Sequence, residues 1–522
     1  MLTSDCKRIV GATRNSLRTV IIGGGTVGLY AARELAKLGQ EVLVIEAGGA
    51  DLDNFAPESY SCVGRPHQGI RIARSRCLGG TSNLWGGQLV EFQPVDFEGR
   101  EWVADSRWPI SFDEIAPYYK RTYDNLGITQ EFIEDEAVFA NVRNAKQQFE
   151  QGFELFLTRW LKIPSFAVAF RKEIQTAANL SVLLNHTVVG FAGVNGVISS
   201  VQTTDNEGRT HRFEGDHFIL AAGTIEISRI LLHAAAATDW DCPWRKNENV
   251  GAYFQDHLVG RVGSLEVFER KHFLEVFSTL IWGGHKFQPK LRLANEALQN
   301  TRILNVQGMM SFESSVSENL TYLKQFVKAA IYSRTCSNVG DLFRNLRAGG
   351  KYLLPLMWRY AMDNRIFVPD TSKISLVIQC EQAPLRASRI YIDSLTKDKF
   401  GMPKVVLDWK VGSEEFESIR EFTVRCDRAL RASGLARLKI AKGLTNMEPE
   451  YLAKLHDNSH QTGGARIGQS EKDGVVNRDL LVFGTTNLFV AGAASFRTSS
   501  NANITFTALA FVTRLVDHLT RR

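Results

Sequence analysis

No stretch of about 18 apolar residues occurs anywhere in the chain, so a membrane-crossing helix is not expected. Met1 to Arg18 is too polar for a secretory leader, and the expectation is a cytoplasmic protein. Cysteine is sparse: Cys6, Cys62, Cys77, Cys242, Cys336, Cys380 and Cys426 are odd in number, widely scattered and form no C-x-x-C. That usage fits a reducing compartment and speaks against a thiolate zinc site. The eleven histidines contain no H-E-x-x-H, and neither an EF-hand loop nor a G-K-[ST] phosphate loop can be found. No metal is therefore expected, and no nucleoside triphosphate. The net charge of +6 is small for 522 residues, which gives no reason to expect nucleic acid. Internal repeats and low-complexity tracts are also missing. What remains is a chain with 44% hydrophobic and 23% charged residues, long enough for two domains that share a cleft.

The N-terminal part carries the first positive signal. Thr19 to Ile22 reads as a short apolar strand, and Gly23-Gly24-Gly25-Thr26-Val27-Gly28 then opens a helical pattern of Leu29, Ala32, Leu35, Ala36 and Leu38, closed by Gly39. A second strand, Glu41 to Ile45, ends in Glu46, so Val20 to Glu46 forms one βαβ unit. Each position has a chemical purpose. Gly23 permits a tight turn, Gly25 lets backbone N–H groups approach a pyrophosphate, Gly28 allows close helix packing, and Glu46 can accept ribose hydroxyls. The motif alone does not choose between NAD and FAD, although Ala47-Gly48-Gly49 after the acid resembles the adenosine end of many FAD-binding chains.

A second loop, Arg76-Cys77-Leu78-Gly79-Gly80-Thr81-Ser82-Asn83-Leu84-Trp85-Gly86-Gly87, mixes glycine, small hydroxyls and an amide, a composition suited to backbone contact with a flat polar ligand. Here the chain resembles the glucose-methanol-choline (GMC) oxidoreductases, whose R-x-L-G-G-[ST]-S-x-x-[NW] segment packs against the flavin. Trp108 to Glu114 with Tyr118-Tyr119 resembles the segment leaving the flavin domain in many bacterial members. The likeness continues through Val250 to His257, similar to V-G-R-x-x-x-D-H with Ala252 for the arginine, and through Glu381-Gln382-Ala383-Pro384 with Ser388-Arg389. It implies an α/β FAD-binding (Rossmann-like) domain plus an α+β substrate domain with an antiparallel sheet. It also implies cofactor contacts at Gly79, Gly80, Thr81 and Asn83, an adenine contact at Val188, and turns near the cofactor at Gly223 and at Gly492-Ala493. Leu84 stands where covalently flavinylated relatives have histidine, so a noncovalent FAD is expected.

Ser459-His460-Gln461-Thr462-Gly463-Gly464-Ala465-Arg466 is similar to the family's H-x-x-G-T-x-R, with Gly464 for the threonine. The resemblance implies that His460 faces flavin N5, and an imidazole titrating near neutrality can take an alcohol proton while the carbinol hydrogen leaves as hydride. Asn487 to Phe496 and Ser499 to Ala510 resemble the family's C-terminal strand and helix start, with Arg497 and Ala502 at proline positions. Registering on Ala508-Leu509-Ala510 puts Asn501 at the catalytic Asn/His position. Asn503 competes for that place, and Ser499, Ser500, Asn501 and Asn503 are all good helix N-caps as well.

These motifs imply a discontinuous FAD domain of residues 17–105, 179–263 and 456–522, with 106–178 and 264–455 forming the substrate domain. The implied reaction is FAD-dependent oxidation of a CH–OH group in a sugar, polyol or other alcohol, with oxygen, a quinone or another acceptor. The alternative is a non-redox lyase on the same scaffold. Residues 321–365 interleave Lys324, Lys328, Arg334, Arg344, Arg347, Lys351, Arg359 and Arg365 with apolar positions. That pattern reads as solvated helices over the substrate domain in preference to a basic surface for anionic lipid.

Overall fold

A computed structural model describes residues 2–5, 18–52, 59–237, 240–314, 358–359 and 362–521. The basic segment 321–365 therefore lies almost wholly outside the described residues. Among the described residues no helix is long and apolar enough to cross a membrane.

Two sheets organise the chain. The first is parallel, in the spatial order Leu2–Thr3, Leu180–Leu183, Glu41–Ile45, Arg18–Ile22, His217–Leu220, Leu488–Val490. Its strands are near-continuous apolar runs, buried in one apolar cluster with helices and with the three-stranded sheet of His186–Val194, Val197–Asp205 and Thr210–Glu214. On one side Thr26–Lys37 and the C-terminal helix Ile504–Thr520 pack together, and the Tyr30 and Thr513 hydroxyls bond at 2.9 Å between them. The chain runs from Arg18–Ile22 outward to Glu41–Ile45, and later returns on the other side as His217–Leu220. That reversal leaves a crevice at the carboxyl ends of the strands, where ligands bind in open α/β sheets. The Gly23 turn and the Ala221-Ala222-Gly223 turn flank it, so closely that a Cβ on Gly23 would sit 2.7 Å from the Ala221 carbonyl oxygen.

The second sheet is antiparallel, in the order Ala436–Ile440, Leu258–Val267, Lys373–Cys380, Val306–Glu313, His285–Leu293, Phe153–Trp160, Gln88–Leu89. One face is apolar and covered by the helix Ser413–Ala432, which buries Ile419, Phe422 and Cys426 against Leu291, Leu376 and Ile378. The other face looks toward the flavin-type domain.

The pairing places the change of sheet earlier than residue 263, since Leu258–Val267 is a strand of the antiparallel sheet throughout. Residues 106–178 also divide differently from the expectation that they belong to the substrate domain. The helix Phe112–Asn125 and the segment Phe166–Thr176 bury Ile115, Tyr119, Tyr123, Phe166 and Ile174 in the same apolar cluster as the parallel sheet, whereas Phe153–Trp160 joins the antiparallel one.

Gly28 shows how little room the nucleotide-type turn leaves. A Cβ there would lie 1.9 Å from the Gly23 carbonyl oxygen, a backbone atom that cannot move without opening the turn. Gly28→Ala is expected to cost on the order of 1–3 kcal/mol, as overpacking of a tight interior does, read as a lower urea midpoint at unchanged slope.

Candidate active site

A cavity of about 480 Å³ runs along the crevice from Glu46 and Val188 at one end to His460 at the other. Gly23, Gly25, Gly80, Thr81, Gly223, Gly492 and Ala493 line it. Gly28, Gly79, Asn83 and Asn501 do not: the first three shape the walls from behind, and Asn501 is buried next to the His460 end. The Asn83 amide donates to the Leu78 carbonyl (2.9 Å) and accepts from the Ser165 hydroxyl (2.6 Å), so its side chain is spent on holding its own loop. Glu46 is buried, and its two oxygens accept the Gly24 and Gly48 amides at 2.7 and 2.8 Å. Burial pushes its carboxyl up, and those amides pull it partly back. Each oxygen keeps a lone pair for a ribose hydroxyl.

These walls fit a dinucleotide with a flat head group. The helix Thr26–Lys37 has Gly25 as N-cap and Ile504–Thr520 has Asn503, and in neither does a side chain cap the amides. Both helix starts reach the cavity, through Gly25 and Thr26 at one and Ile504 and Thr505 at the other. Free N–H groups and the positive ends of helix dipoles at two places suit an anionic pyrophosphate and a ring that gains negative charge on reduction. Asn503 is thus the N-cap by position but not by hydrogen bond, and its Oδ1 is buried without a partner.

His460 is held from below by one carboxylate. Asp256 is fully buried, and its Oδ1 accepts the amides of His257 (2.8 Å), Asn458 (3.3 Å) and His460 (2.8 Å). The His67 ring accepts the Ile70 amide at Nδ1 (3.1 Å), so its proton lies on Nε2 and is donated to Asp256 Oδ2 (3.0 Å). Asp457 completes this buried group by accepting the Gln68 and Gly69 amides at 2.6 and 2.8 Å.

The same logic locates the proton on the candidate base. His257 Nε2 lies 3.1 and 2.8 Å from the carbonyls of Ser499 and Ser500, which only accept, so that nitrogen carries hydrogen. Burial drives the His257 pKa down and the ring is neutral, which makes its Nδ1 an acceptor. His460 Nδ1, 2.8 Å away, is then the donor. Asn458 Nδ2 also sits 3.2 Å from this nitrogen, but its shorter bond runs to Gln379 Oε1 at 2.6 Å. The lone pair of His460 is left on Nε2, on a side chain that lines the cavity. Burial first, then His257 and the Lys290 ammonium, hold the imidazole well below its ordinary range.

Asn501 enters the same network from the C-terminal segment. Its backbone carbonyl accepts from Gln379 Nε2 (2.7 Å), and its side-chain Nδ2 donates to Asn305 Oδ1 (2.7 Å). Asn305 in turn donates to Asp96 (3.2 Å), whose other oxygen accepts the Ser500 hydroxyl (2.7 Å). One amide hydrogen of Asn501 stays free of this brace. Both candidates follow a serine in the left-handed region, Ser459 at φ 57° and Ser500 at φ 54°. Such backbone costs about 1–2 kcal/mol per residue and persists where the surroundings over-determine it.

Comparisons with known proteins place the chain among flavoenzymes. A family model described as GMC oxidoreductase matches residues 384–511, and one described as FAD dependent oxidoreductase matches 18–235. The fructose dehydrogenase large subunit of Gluconobacter japonicus is 24% identical, across 96% of this chain and 97% of its own. A glucose dehydrogenase [FAD, quinone] of Drosophila pseudoobscura pseudoobscura is 22% identical, across 90% and 81%. The chain thus carries a GMC oxidoreductase domain at residues 384–511 behind an FAD dependent oxidoreductase domain at 18–235. It is accordingly an FAD-dependent oxidoreductase. Pyridoxine 4-oxidase from Mesorbium loti shares the fold, with a TM-score of 0.57 over 97% of this chain and 100% of that one at 16% identity. A fungal aryl-alcohol oxidase shares it too, with a TM-score of 0.56 over 98% and 99% at 15% identity.

Two departures from the GMC pattern have local reasons. Gly464 has φ +80°, and a Cβ there would be 2.3 Å from the Ser228 hydroxyl, so the usual threonine does not fit. Arg497 is buried and bonds Asp473 (2.8 Å) and the Asp105 carbonyl (2.9 Å), replacing the rigidity of a proline with an ion pair. Sequence reasoning missed His67, Lys290, Asn305 and Gln379. Asp256-His257 is legible in the sequence only as part of a family string, with no role for either.

Asp256→Ala is expected to keep the flavin domain folded but let His460 drift. A displacement of about 1 Å can cost 10²-fold, so substrate-driven flavin reduction should slow by about that factor while flavin content on purification stays near that of the parent protein.

Proposed function

We propose that this enzyme oxidises a CH–OH group of a sugar, polyol or other small alcohol, with His460 as the base and Asn501 beside the substrate oxygen. FAD bound along the crevice supplies the hydride acceptor, flavin N5. The observation that carries the reading is the His460 ring, locked by His257 with its proton on Nδ1 and its Nε2 lone pair left for the cavity. His460 Nε2 takes the hydroxyl proton as the C–H bond breaks, and the free amide hydrogen of Asn501 steadies the oxygen as it turns into a carbonyl. The surrounding protein holds the base unprotonated, while its ring stays partly open to the cavity. The Gly23, Gly25 and Gly80 backbones hold the pyrophosphate, Glu46 the ribose, Val188 the adenine, and the Gly223 and Gly492-Ala493 turns the ring system.

Noncovalent attachment follows from Leu84, a half-exposed aliphatic side chain in the cavity wall that offers no nucleophile. Electrons pass on to oxygen, a quinone or another small acceptor, in keeping with relatives named as a quinone-linked dehydrogenase and as oxidases. The lyase reading has no such support, since the relatives compared are named as dehydrogenases and oxidases. The five described cysteines are all free, which is consistent with a reducing, cytoplasmic setting.

His460→Ala should retain FAD yet lose substrate-driven bleaching of the flavin under anaerobic conditions by about 10²–10⁴-fold. Bleaching at the parent rate would remove His460 from the mechanism. Because the imidazole's pKa is depressed, its unprotonated form persists as pH falls, and the reduction rate at saturating substrate should drop only well below pH 6.5. A stopped-flow profile with its acid limb at or above 6.5 would contradict the electrostatics described for His460.

A further inference from the structure

Lys290 is a buried cation without a counterion, close to the base. It belongs to the strand His285–Leu293, where Phe287, Leu291 and Leu293 face the helix-covered core and Gln288, Lys290 and Arg292 take the opposite face. Register extends that face across the sheet: Arg292 pairs with Gln307, and Gln307 with Gln379. Gln379 bonds both Asn458, beside His460, and the Asn501 carbonyl, so this face lies next to the His460 end of the crevice, behind the residues that line it.

Two side chains on this face are left wanting. Lys290 is 2% exposed, and its ammonium donates to the neutral Gln88 amide oxygen at 3.2 Å. Among the described residues no carboxylate pairs with it, and Arg292 on the same strand already has Glu154. Gln307 is 1% exposed, and neither its Oε1 nor its Nε2 has a partner. A buried cation and a buried free amide each cost several kcal/mol or a large part of that unless a ligand satisfies them. Burial lowers the Lys290 pKa to about 7, so an approaching anion would restore its full charge. The ammonium is also near enough to act on the His460 imidazole.

We propose that the substrate is a hydroxy acid, its carboxylate held by Lys290 with Gln307 while its hydroxyl meets His460. A single lysine matches one negative charge; a phosphate, with nearly two, calls for more cations than this face supplies. This inference rests on the alcohol-oxidising role proposed for His460.

The test uses the FAD-loaded enzyme with three acid and neutral pairs: glycolate and ethylene glycol, glycerate and glycerol, gluconate and glucitol. Binding is read from the shift in the flavin spectrum, and oxidation from anaerobic bleaching. At least one acid should bind at least tenfold more tightly than its neutral partner. Lys290→Gln and Lys290→Met should bring that ratio close to one, and Gln307→Leu should lower it, with flavin content and unfolding midpoint confirming that each variant is folded. The proposal is overturned if no acid binds more tightly than its partner, or if the preference survives both Lys290 variants. Neutral alcohols that bleach the flavin without any preference for acids leave the alcohol-oxidising role standing and remove this one. Lysine-dependent binding of an acid with no bleaching by any compound does the reverse.

Discussion

The active end of the crevice depends on one buried carboxylate. Asp256 gathers the amides of His257, Asn458 and His460 on a single oxygen and the His67 imidazole on the other. A buried carboxylate left without donors is far more costly than any one hydrogen bond it makes, so the segment 457–460 and the turn at 256–257 are compelled to meet. That meeting brings His257 against His460, and His257 is itself anchored to the carbonyls of Ser499 and Ser500. Three separate stretches of chain are thereby tied to the orientation of one ring. The left-handed backbone at Ser459 and Ser500, which no β-region preference would produce, is the local strain that this network offsets.

Much of the fold was legible because local patterns coincided with long-range needs. The βαβ unit at Val20 to Glu46 is written in apolar runs and in glycines whose missing Cβ atoms are required by backbone atoms at 1.9 to 2.7 Å, and such requirements leave little freedom of sequence. His460 could be found through the motif around it, although nothing in the motif says which nitrogen carries the proton. Asn83 was legible as a loop residue near a ligand but not as a brace, since whether an amide points into a cavity or back at its own loop depends on Ser165, far away in sequence.

Lys290 was hidden for a different reason. In H-K-F-Q-P-K-L-R-L the alternation puts lysine, glutamine and arginine on one face, and alternation of that kind ordinarily means water. Here the polar face is covered by a second domain assembled from chain segments on either side of it in sequence. The same rule explains the displaced boundaries: Leu258–Val267 and Phe112–Asn125 are assigned by what they pack on, and neither carries that information in its own periodicity. A polar face inside a two-domain enzyme is where specificity can be held, because its groups are dry and each unmet donor or acceptor discriminates between ligands.

The charges around the base make a coherent arrangement. His460 is depressed by burial, by His257 and by Lys290, and none of the three is an acid that would draw a proton toward it. In the free enzyme that keeps the imidazole unprotonated but also makes it a weak base, which is a poor state for removing the proton of an alcohol. A carboxylate on Lys290 would cancel one of the three influences at the moment the substrate arrives, while burial and His257 stay as they were. The base would then gain strength only when a hydroxyl is in place, and a neutral alcohol of the same size would meet a weaker base. Selectivity on this face would accordingly be expressed in the rate of C–H cleavage as well as in binding, because the group that holds the anion is also one of the groups that sets the basicity of His460.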